Sequence, residues 1–366
     1  MTKCKFCGER KMVTKVLGYC KSCIRKGNKE ILEDVIRAHY SARRIYTLPE
    51  ERPQKGILCG ECANNCIIDE GQRGYCNLVE NLNGRLFKVS DENKGFLDYY
   101  LDPLPTNCVA EWFCPACTGR GYPTYAYSRT AEYGYQNLAV FLKSCSLDCL
   151  FCQNWHFRET RPFEDTKVSG VELCSKVSGS VSCVCWFGGD PSTQMQFALA
   201  ASKTMSQESR KKGKIFRVCW ETNGLIKGDY AVEAAQLSLE SGGTMKFDLK
   251  VFNDELAIAL LGRSQKQSFN MFKRLYDRFG QRKDLRTFTV STLLIPSYVE
   301  SEEVREISEF LSSIDNDIPY SLLAFTPNFL MHDLPTTSTR HADECYKIAK
   351  RCGLKNVHIG NRILLS

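Results

Sequence analysis

From Asn137 onward, short apolar runs alternate with longer stretches in which apolar residues recur every three or four positions. The runs Asn137–Leu142, Val181–Phe187, Ile215–Glu221, Thr244–Lys250, Thr287–Ile295, Tyr320–Phe325 and Asn356–Ile359 predict buried strands. The patterns near 194–212, 229–241, 266–279, 302–313 and 338–352 predict helices between them. Ser301 ahead of Glu302 and Glu303 reads as an N-cap with acids in the first turn, and Gly353 as the stop of the last helix. Such alternation implies a parallel sheet with crossover helices, and six or seven strands suffice for a partial or full (β/α) barrel. The first 136 residues differ: they are rich in turns, with one helical pattern over Glu30–Arg43 that puts Ile31, Val35, Ile36 and His39 on one face. The chain therefore divides into residues 1–55, a Cys-rich irregular region over 56–136, and an α/β barrel over 137–366.

Composition sharpens this picture at one point. With 43% hydrophobic and 25% charged residues the chain can bury a core, which excludes a disordered protein. No apolar run approaches the ~18–20 residues of a membrane helix, so no membrane partner is expected. The net charge of +7 is too mild to name an acidic partner. The 20 cysteines are the outlier. No signal-peptide pattern opens the chain, so they point to metal binding in a reducing, cytoplasmic compartment rather than to disulfides.

Fourteen of the cysteines fall in four clusters, and the other six (Cys174, Cys183, Cys185, Cys219, Cys345 and Cys352) read as small buried hydrophobes. Cys4-x2-Cys7 and Cys20-x2-Cys23 form two knuckles that close a four-thiolate tetrahedron, a zinc ribbon with a structural role. Cys59, Cys62, Cys66 and Cys76 form a second four-thiolate array, whose spacing fits zinc and an iron–sulfur cluster alike. Cys108, Cys114 and Cys117 make a looser group without an assigned role. Cys145-x3-Cys149-x2-Cys152 has only three thiolates. A [4Fe–4S] cluster held by three ligands keeps one iron open for a substrate group, and this motif follows the first predicted strand, at the end where α/β active sites form.

With Phe151 before its last cysteine, this motif resembles the signature of the radical S-adenosylmethionine (SAM) superfamily. The resemblance implies a [4Fe–4S] cluster on Cys145, Cys149 and Cys152 with SAM as cofactor. It extends to Gly188-Gly189-Asp190-Pro191, where the superfamily's Gly-Gly-Glu turn holds the methionine amine of SAM; here Asp190 is the shorter carboxylate. Glu221-Thr222-Asn223-Gly224 ends the third strand, and Lys246, Asp248 and Lys250 share one face of the fourth. These charges either bind the cofactor or satisfy one another as an ion-pair network. The resemblance also implies that the last strand, Val357–Asn361 with His358, presents backbone to the adenine. Cys59 to Cys76 with Glu70-Gly71 and Arg73-Gly74, the Cys152-Gln153-Asn154-Trp155 tract, Ala324–Asn328 and Gly353–Asn361 are similar to the branch of pyruvate formate-lyase activating enzymes and AmmeMemoRadiSam-type proteins.

The N-terminal ribbon, Cys114-Pro115-Ala116-Cys117 and His341-x3-Cys345 depart from that branch. They look most like the archaeal cobalamin-dependent enzymes that C-methylate a glutamine of methyl-coenzyme M reductase. None of the five histidines stands in an Asp-x-His-x-x-Gly motif, so a cobalt ligand from histidine is not supported. His341 and Cys345 share a helix face, which offers Cys345 as a thiolate ligand; Ala342, Ile348, Ala349 and Cys352 make that face an apolar one as well. The resemblance thus implies an enzyme acting on a protein or peptide, with an electron donor as second partner. The alternatives are a glycyl-radical activating enzyme and a zinc-ribbon adaptor. The basic run Arg210–Lys214 ends a predicted helix at Gly213 and reads as its solvated, dipole-complementing end rather than a nucleic-acid patch.

Overall fold

The computed structural model describes residues 2–106, 108–177, 179–282 and 284–366. Eight strands form one sheet: β1 (Leu97–Pro103), β2 (Gln136–Leu142), β3 (Val181–Gly188), β4 (Arg217–Thr222), β5 (Met245–Asp248), β6 (Phe288–Leu294), β7 (Tyr320–Ala324) and β8 (Val357–Gly360). They lie side by side in chain order, β2 to β8 parallel and β1 antiparallel to β2. The pairing runs from β1 at one edge to β8 at the other, so the sheet is open and mixed and does not close into the full barrel that was one of the two expectations.

Helices α2 (Met195–Lys211), α3 (Gly228–Ser241), α4 (Asp254–Leu261), α5 (Lys266–Phe279), α6 (Ser301–Ile314) and α7 (Thr339–Arg351) connect the parallel strands. Strand alternation sorts the two faces. Val184, Trp186, Val218, Trp220, Met245, Phe247, Val290, Tyr320 and Leu322 point to the helices and form the main core with Phe197, Phe272 and Ala234. Trp186 and Trp220 stack at 6.0 Å. The opposite, inner face carries Cys185, Cys219, Glu221, Lys246, Asp248, Ser291, Ser321 and His358. Among the described residues, no helix is long and apolar enough to cross a membrane.

The N-terminal helix α1 (Lys29–Arg44) is capped by Asn28, whose side chain accepts from the Glu30 and Ile31 amides. Its buried face, Ile31, Val35, His39 and Ala42, packs on α4. A second core unites Cys4, Cys20, Cys23, Ile31 and Val35 with Cys149, Leu150, Phe151, Leu256, Leu260, Leu261, Tyr298 and Phe325. The N-terminal segment is thus packed onto the loops at the C-terminal ends of the strands. Tyr298 secures it further, accepting from the Thr14 amide (3.1 Å) and donating to Tyr19 O (3.0 Å).

The segment from Leu104 to Tyr135 lies across the inner face. Trp112 donates to Ser321 Oγ (3.0 Å) and stacks on His358 at 5.2 Å. Glu132 forms a buried ion pair with Arg217 of β4 (2.6 Å) and accepts from Ser182 Oγ (2.8 Å). Beneath this segment a cavity of about 120 Å³ is lined by Cys108, Cys114, Cys183, Cys185 and Cys219 around Lys246.

Candidate active site

β2 runs into a loop, residues 143–154, that carries Cys145, Cys149 and Cys152 at the C-terminal edge of the parallel strands. The loop is held from four sides. Asp148 N and Leu150 N donate to Leu261 O (2.9 Å) and Leu260 O (3.0 Å), free carbonyls at the end of α4. Gly189 N and Asp190 N donate to Leu142 O (2.7 Å) and Ser144 O (2.8 Å). Ser144 Oγ donates to Cys76 O (2.8 Å), and Asn64 Nδ2 to Ser146 O (2.8 Å). Phe151 is fully packed in the core beneath the loop.

The charged anchor is Asp148. Its carboxylate pairs with Arg158, with Arg43 (3.4 Å) and with His39 Nδ1 (2.8 Å), all of them buried. Burial works against its charge, but Arg158, His39 and Arg43 outweigh that and hold its pKa far below the usual carboxylate range. Gly262 closes α4 at φ 72°, and a Cβ there would stand 3.1 Å from Asp148 Cβ and 3.0 Å from His39 Nδ1. Sequence reasoning missed this anchor; its signal was a lone acid between the cysteines, flanked by Leu147 and Leu150.

The three thiols fit an iron–sulfur cluster by their donor chemistry. Leu147 N and Asn223 Nδ2 approach Cys145 Sγ (3.4 and 3.7 Å). Burial pushes the Cys149 thiol up to about 12, while Lys250 and Arg158 pull the other way. Lys250 and Arg158 are therefore placed to neutralise thiolates bound to a cationic centre.

The residues expected to hold SAM separate into open and closed ones. Gly188 and Gly189 are required by close approach to the cysteine loop: a Cβ on Gly189 would sit 2.1 Å from Ser144 O, and one on Gly188 2.7 Å from Leu142 N. Asp190 is 3% exposed. It accepts from Ser192 N (2.8 Å), Thr222 Oγ1 (3.2 Å) and Asn223 N (2.5 Å). Burial pushes its carboxyl up to about 6 against those donors. With both oxygens engaged inside the protein, Asp190 braces the turn after β4, and an ammonium has no open oxygen there. Asn223 is also buried, bonded to Ser146 Oγ (2.9 Å) as well as facing Cys145.

Lys246 is fully buried, paired with Glu221 and in contact with Cys108 Sγ (2.9 Å) and Cys185 Sγ (3.5 Å). This is the mutually satisfied network, and it closes Lys246 to a cofactor. β5 ends at Asp248, so Lys250 lies beyond the strand, where it still reaches Asp248 Oδ2 (2.7 Å). Asp248 also accepts from Ser291 Oγ (2.6 Å) and keeps about a third of its side chain exposed beside the thiols, the most open carboxylate of the set. His358 is covered by the Trp112 ring.

Cys345 is fully buried between α7 and the outer face of the sheet, in the main core. His341, on the same helix face, sets its Nε2 3.1 Å from Val299 O. A cobalt ligand needs an open side toward the corrin, so the structure removes Cys345 from that role.

In the N-terminal segment, the sulfurs of Cys4, Cys7, Cys20 and Cys23 all lie within 4.8 Å of one another, an arrangement able to hold a metal ion. Although burial opposes it, main-chain N–H groups of Cys7, Cys20 and Phe6 hold the Cys4 thiol down at about 6, as a metal-binding thiolate requires.

Residues 140–311 match the family model of the radical SAM superfamily. The chain is 24% identical over 326 residues to the uncharacterized protein MJ0808 of Methanocaldococcus jannaschii, covering 85% of this chain and 83% of that one. Among solved structures, a domain of a pyruvate-formate lyase-activating enzyme from Bacteroides vulgatus is 18% identical with a TM-score of 0.39, covering 49% of this chain and 98% of that one. SuiB of Streptococcus suis, bound to its precursor peptide SuiA, is 15% identical with a TM-score of 0.45; 59% of this chain matches 46% of SuiB.

Proposed function

We propose that the radical SAM domain over residues 140–311 cleaves SAM at Cys145, Cys149 and Cys152 and directs the resulting radical at a protein or peptide substrate. The observation that carries this reading is the placement of one buried and two half-buried cysteines on one loop at the C-terminal strand edge, faced by Lys250 and Arg158. A [4Fe–4S] cluster would be held by Cys145, Cys149 and Cys152, where it would supply the one-electron chemistry that cleaves SAM. The chain's own residues prepare that event. Asn223 fixes Cys145, Asp148 clamps the loop, and Lys250 and Arg158 offset thiolate charge. Asp248 offers the carboxylate most open to a cationic group. Replacing Cys145, Cys149 and Cys152 with alanine should abolish 5′-deoxyadenosine formation; retained cleavage would overturn the reading.

The finer reading is C-methylation of a glutamine in methyl-coenzyme M reductase. Its support is the N-terminal four-thiolate set, most suited to zinc, which shares a buried core with the cysteine loop. Cys345, sealed in the main core, does not fit cobalt. The product profile tests this reading. S-adenosylhomocysteine formed alongside 5′-deoxyadenosine means methyl transfer. 5′-Deoxyadenosine alone returns the hydrogen abstraction of a glycyl-radical activating enzyme.

A further inference from the structure

The net charge of +7 is not spread over the chain. Residues 1–28 hold eight of the 49 lysines and arginines and one of the 42 acidic residues, so they carry all of it, and the rest of the chain balances at 41 of each sign. A charge too mild to name a partner when averaged becomes a local basic field when it sits on so short a segment.

The structure divides these cations by task. Lys21 pairs with Glu300 (3.0 Å), and Arg25 with Glu302 (3.4 Å), Glu303 and Glu306 (2.8 Å), at the start of α6. Thr14 Oγ1 and Lys15 N donate to the Asp333 carboxylate (2.7 and 2.8 Å), beyond β7. Together with the core shared with α4, these contacts fasten the segment to the connections that follow β5, β6 and β7, at the same strand edge as Cys145, Cys149 and Cys152. The side chains of Lys3, Arg10, Lys15 and Lys26 do none of this. All four residues are exposed, and none has an ion-pair partner among the described residues. Lys5 reaches Asp34 (3.6 Å) and Lys11 reaches Glu9 (2.6 Å), both still open to solvent.

The hairpin that bears these charges is arranged against its own stability. In the antiparallel pair of Thr2–Lys3 with Arg10–Lys11, Lys3 stands opposite Arg10. Like charges so placed destabilise a strand pair, and neither cation is paired within the protein to offset the repulsion. Beside them Phe6 and Met12 remain 49% and 37% exposed. Arg, Phe and Met are the residues enriched where proteins meet proteins, whereas Met offers no flat face on which a base could stack. We infer that residues 3–12 form the docking surface for an acidic segment of the protein substrate, with carboxylates meeting Lys3 and Arg10 and an apolar side chain covering Phe6 and Met12. Holding one segment of the substrate at this rim raises the local concentration of the rest of that chain over the cysteine loop. That the partner is a substrate rests on the radical SAM reading; that it is acidic does not.

The test uses the full chain and, as probe, the fluorescein-labelled peptide Glu-Glu-Leu-Glu-Glu-Leu, followed by fluorescence anisotropy. Wild type should bind it, and binding should weaken as sodium chloride is raised, as a contact between exposed charges does. Lys3→Glu/Arg10→Glu should bind about tenfold more weakly with its metal content unchanged. Lys3→Gln/Arg10→Gln reads the same contact in a protein relieved of the like-charge pair: it should unfold no earlier than wild type and still bind more weakly. A role confined to holding the hairpin would lower its unfolding midpoint and leave binding as it was. The variant Cys145→Ala/Cys149→Ala/Cys152→Ala should bind the peptide as wild type does, so a failure of SAM cleavage leaves this result standing. No binding by wild type, or equal binding by wild type and both charge variants, overturns the docking surface. A labelled oligouridylate bound more tightly than the peptide overturns its assignment to a protein.

Discussion

Removing the Asp148 carboxylate should loosen the cysteine loop more than any single hydrogen bond there would explain. The side chain is fully buried and is the shared partner of Arg158, Arg43 and His39. In Asp148→Ala, two guanidiniums at 1% and 2% side-chain exposure lose their counter-charge. Breaking a buried pair from one side costs about 3–5 kcal/mol, a large part of the ~5–15 kcal/mol that holds a domain folded. Arg43 keeps Tyr75 O (2.5 Å) and Pro49 O (2.5 Å), so the penalty centres on Arg158, whose Nε already lacks a partner. Thermal unfolding of the apo-protein should show the loss, and iron content after reconstitution should fall with it. Asp148→Asn, which keeps the shape and loses the charge, should fall between Ala and wild type.

The pH dependence has a definite sign. A carboxyl whose folded pKa is depressed contributes fully above its unfolded value of ~3.9 and loses that contribution only as pH falls through the lower folded value. The Asp148 carboxyl's own titration therefore adds no pH dependence to the gap between wild type and Asp148→Asn from pH 5 to 8. An Asp148→Ala protein that unfolds within about 0.5 kcal/mol of wild type would refute the anchoring argument, since it would mean Arg158 finds solvent or another partner at no cost.

Gly189→Ala should impair cluster assembly, because its Cβ would meet Ser144 O at 2.1 Å and force the two loops apart; visible absorbance after reconstitution reads this, and wild-type absorbance would refute it. Asp190, with its carboxyl raised to about 6, favours folding most below ~3.9 and loses that contribution as pH rises through about 6, so Asp190→Asn should flatten the unfolding midpoint across that window. Cys4→Ser with Cys20→Ser should lower the zinc content by about one per chain, as measured by mass spectrometry of the native protein; an unchanged content would place the zinc elsewhere.

Much of the scaffold was legible because its signals are periodic. The apolar runs from Asn137 onward mark seven parallel strands, and the helix read over 266–279 matches α5. α4 escaped because Leu-Ala-Ile-Ala-Leu-Leu is apolar all round and only eight residues long, so it shows no helical period. β1 escaped because Leu97–Pro103 is an edge strand carrying Asp98, Asp102 and a terminal proline, features that argue against a strand when read locally. The site was legible where chemistry depends on spacing, as in the two CxxC knuckles, and illegible where it depends on which face a side chain meets. Cys345 and Lys246 illustrate this: helix and strand periods gave their faces correctly, but not that the first face is sealed by β-sheet packing and the second by Glu221 and two thiols. Gly189 was read as part of the turn expected to hold the methionine amine; the structure adds that it makes room for a neighbouring backbone.

The cysteine loop is where distant parts of the chain become interdependent. α1 reaches it through His39 and Arg43, the second cysteine array through Cys76 and Asn64, and the strand ends through Gly189 and Asp190. The compact N-terminal thiols share a core with Cys149 and Phe151. A metal bound only by the folded state stabilises that state by RT ln(1 + [L]/Kd), and this free energy acts on every element that unfolds together with the site. Since Cys4, Cys20 and Cys23 pack in one apolar cluster with α4, whose carbonyls hold Asp148 N and Leu150 N, a metal at the N-terminus steadies the cysteine loop without touching it. A structural metal site that serves a distant cluster needs no bonded path between them, only a common core whose opening exposes both.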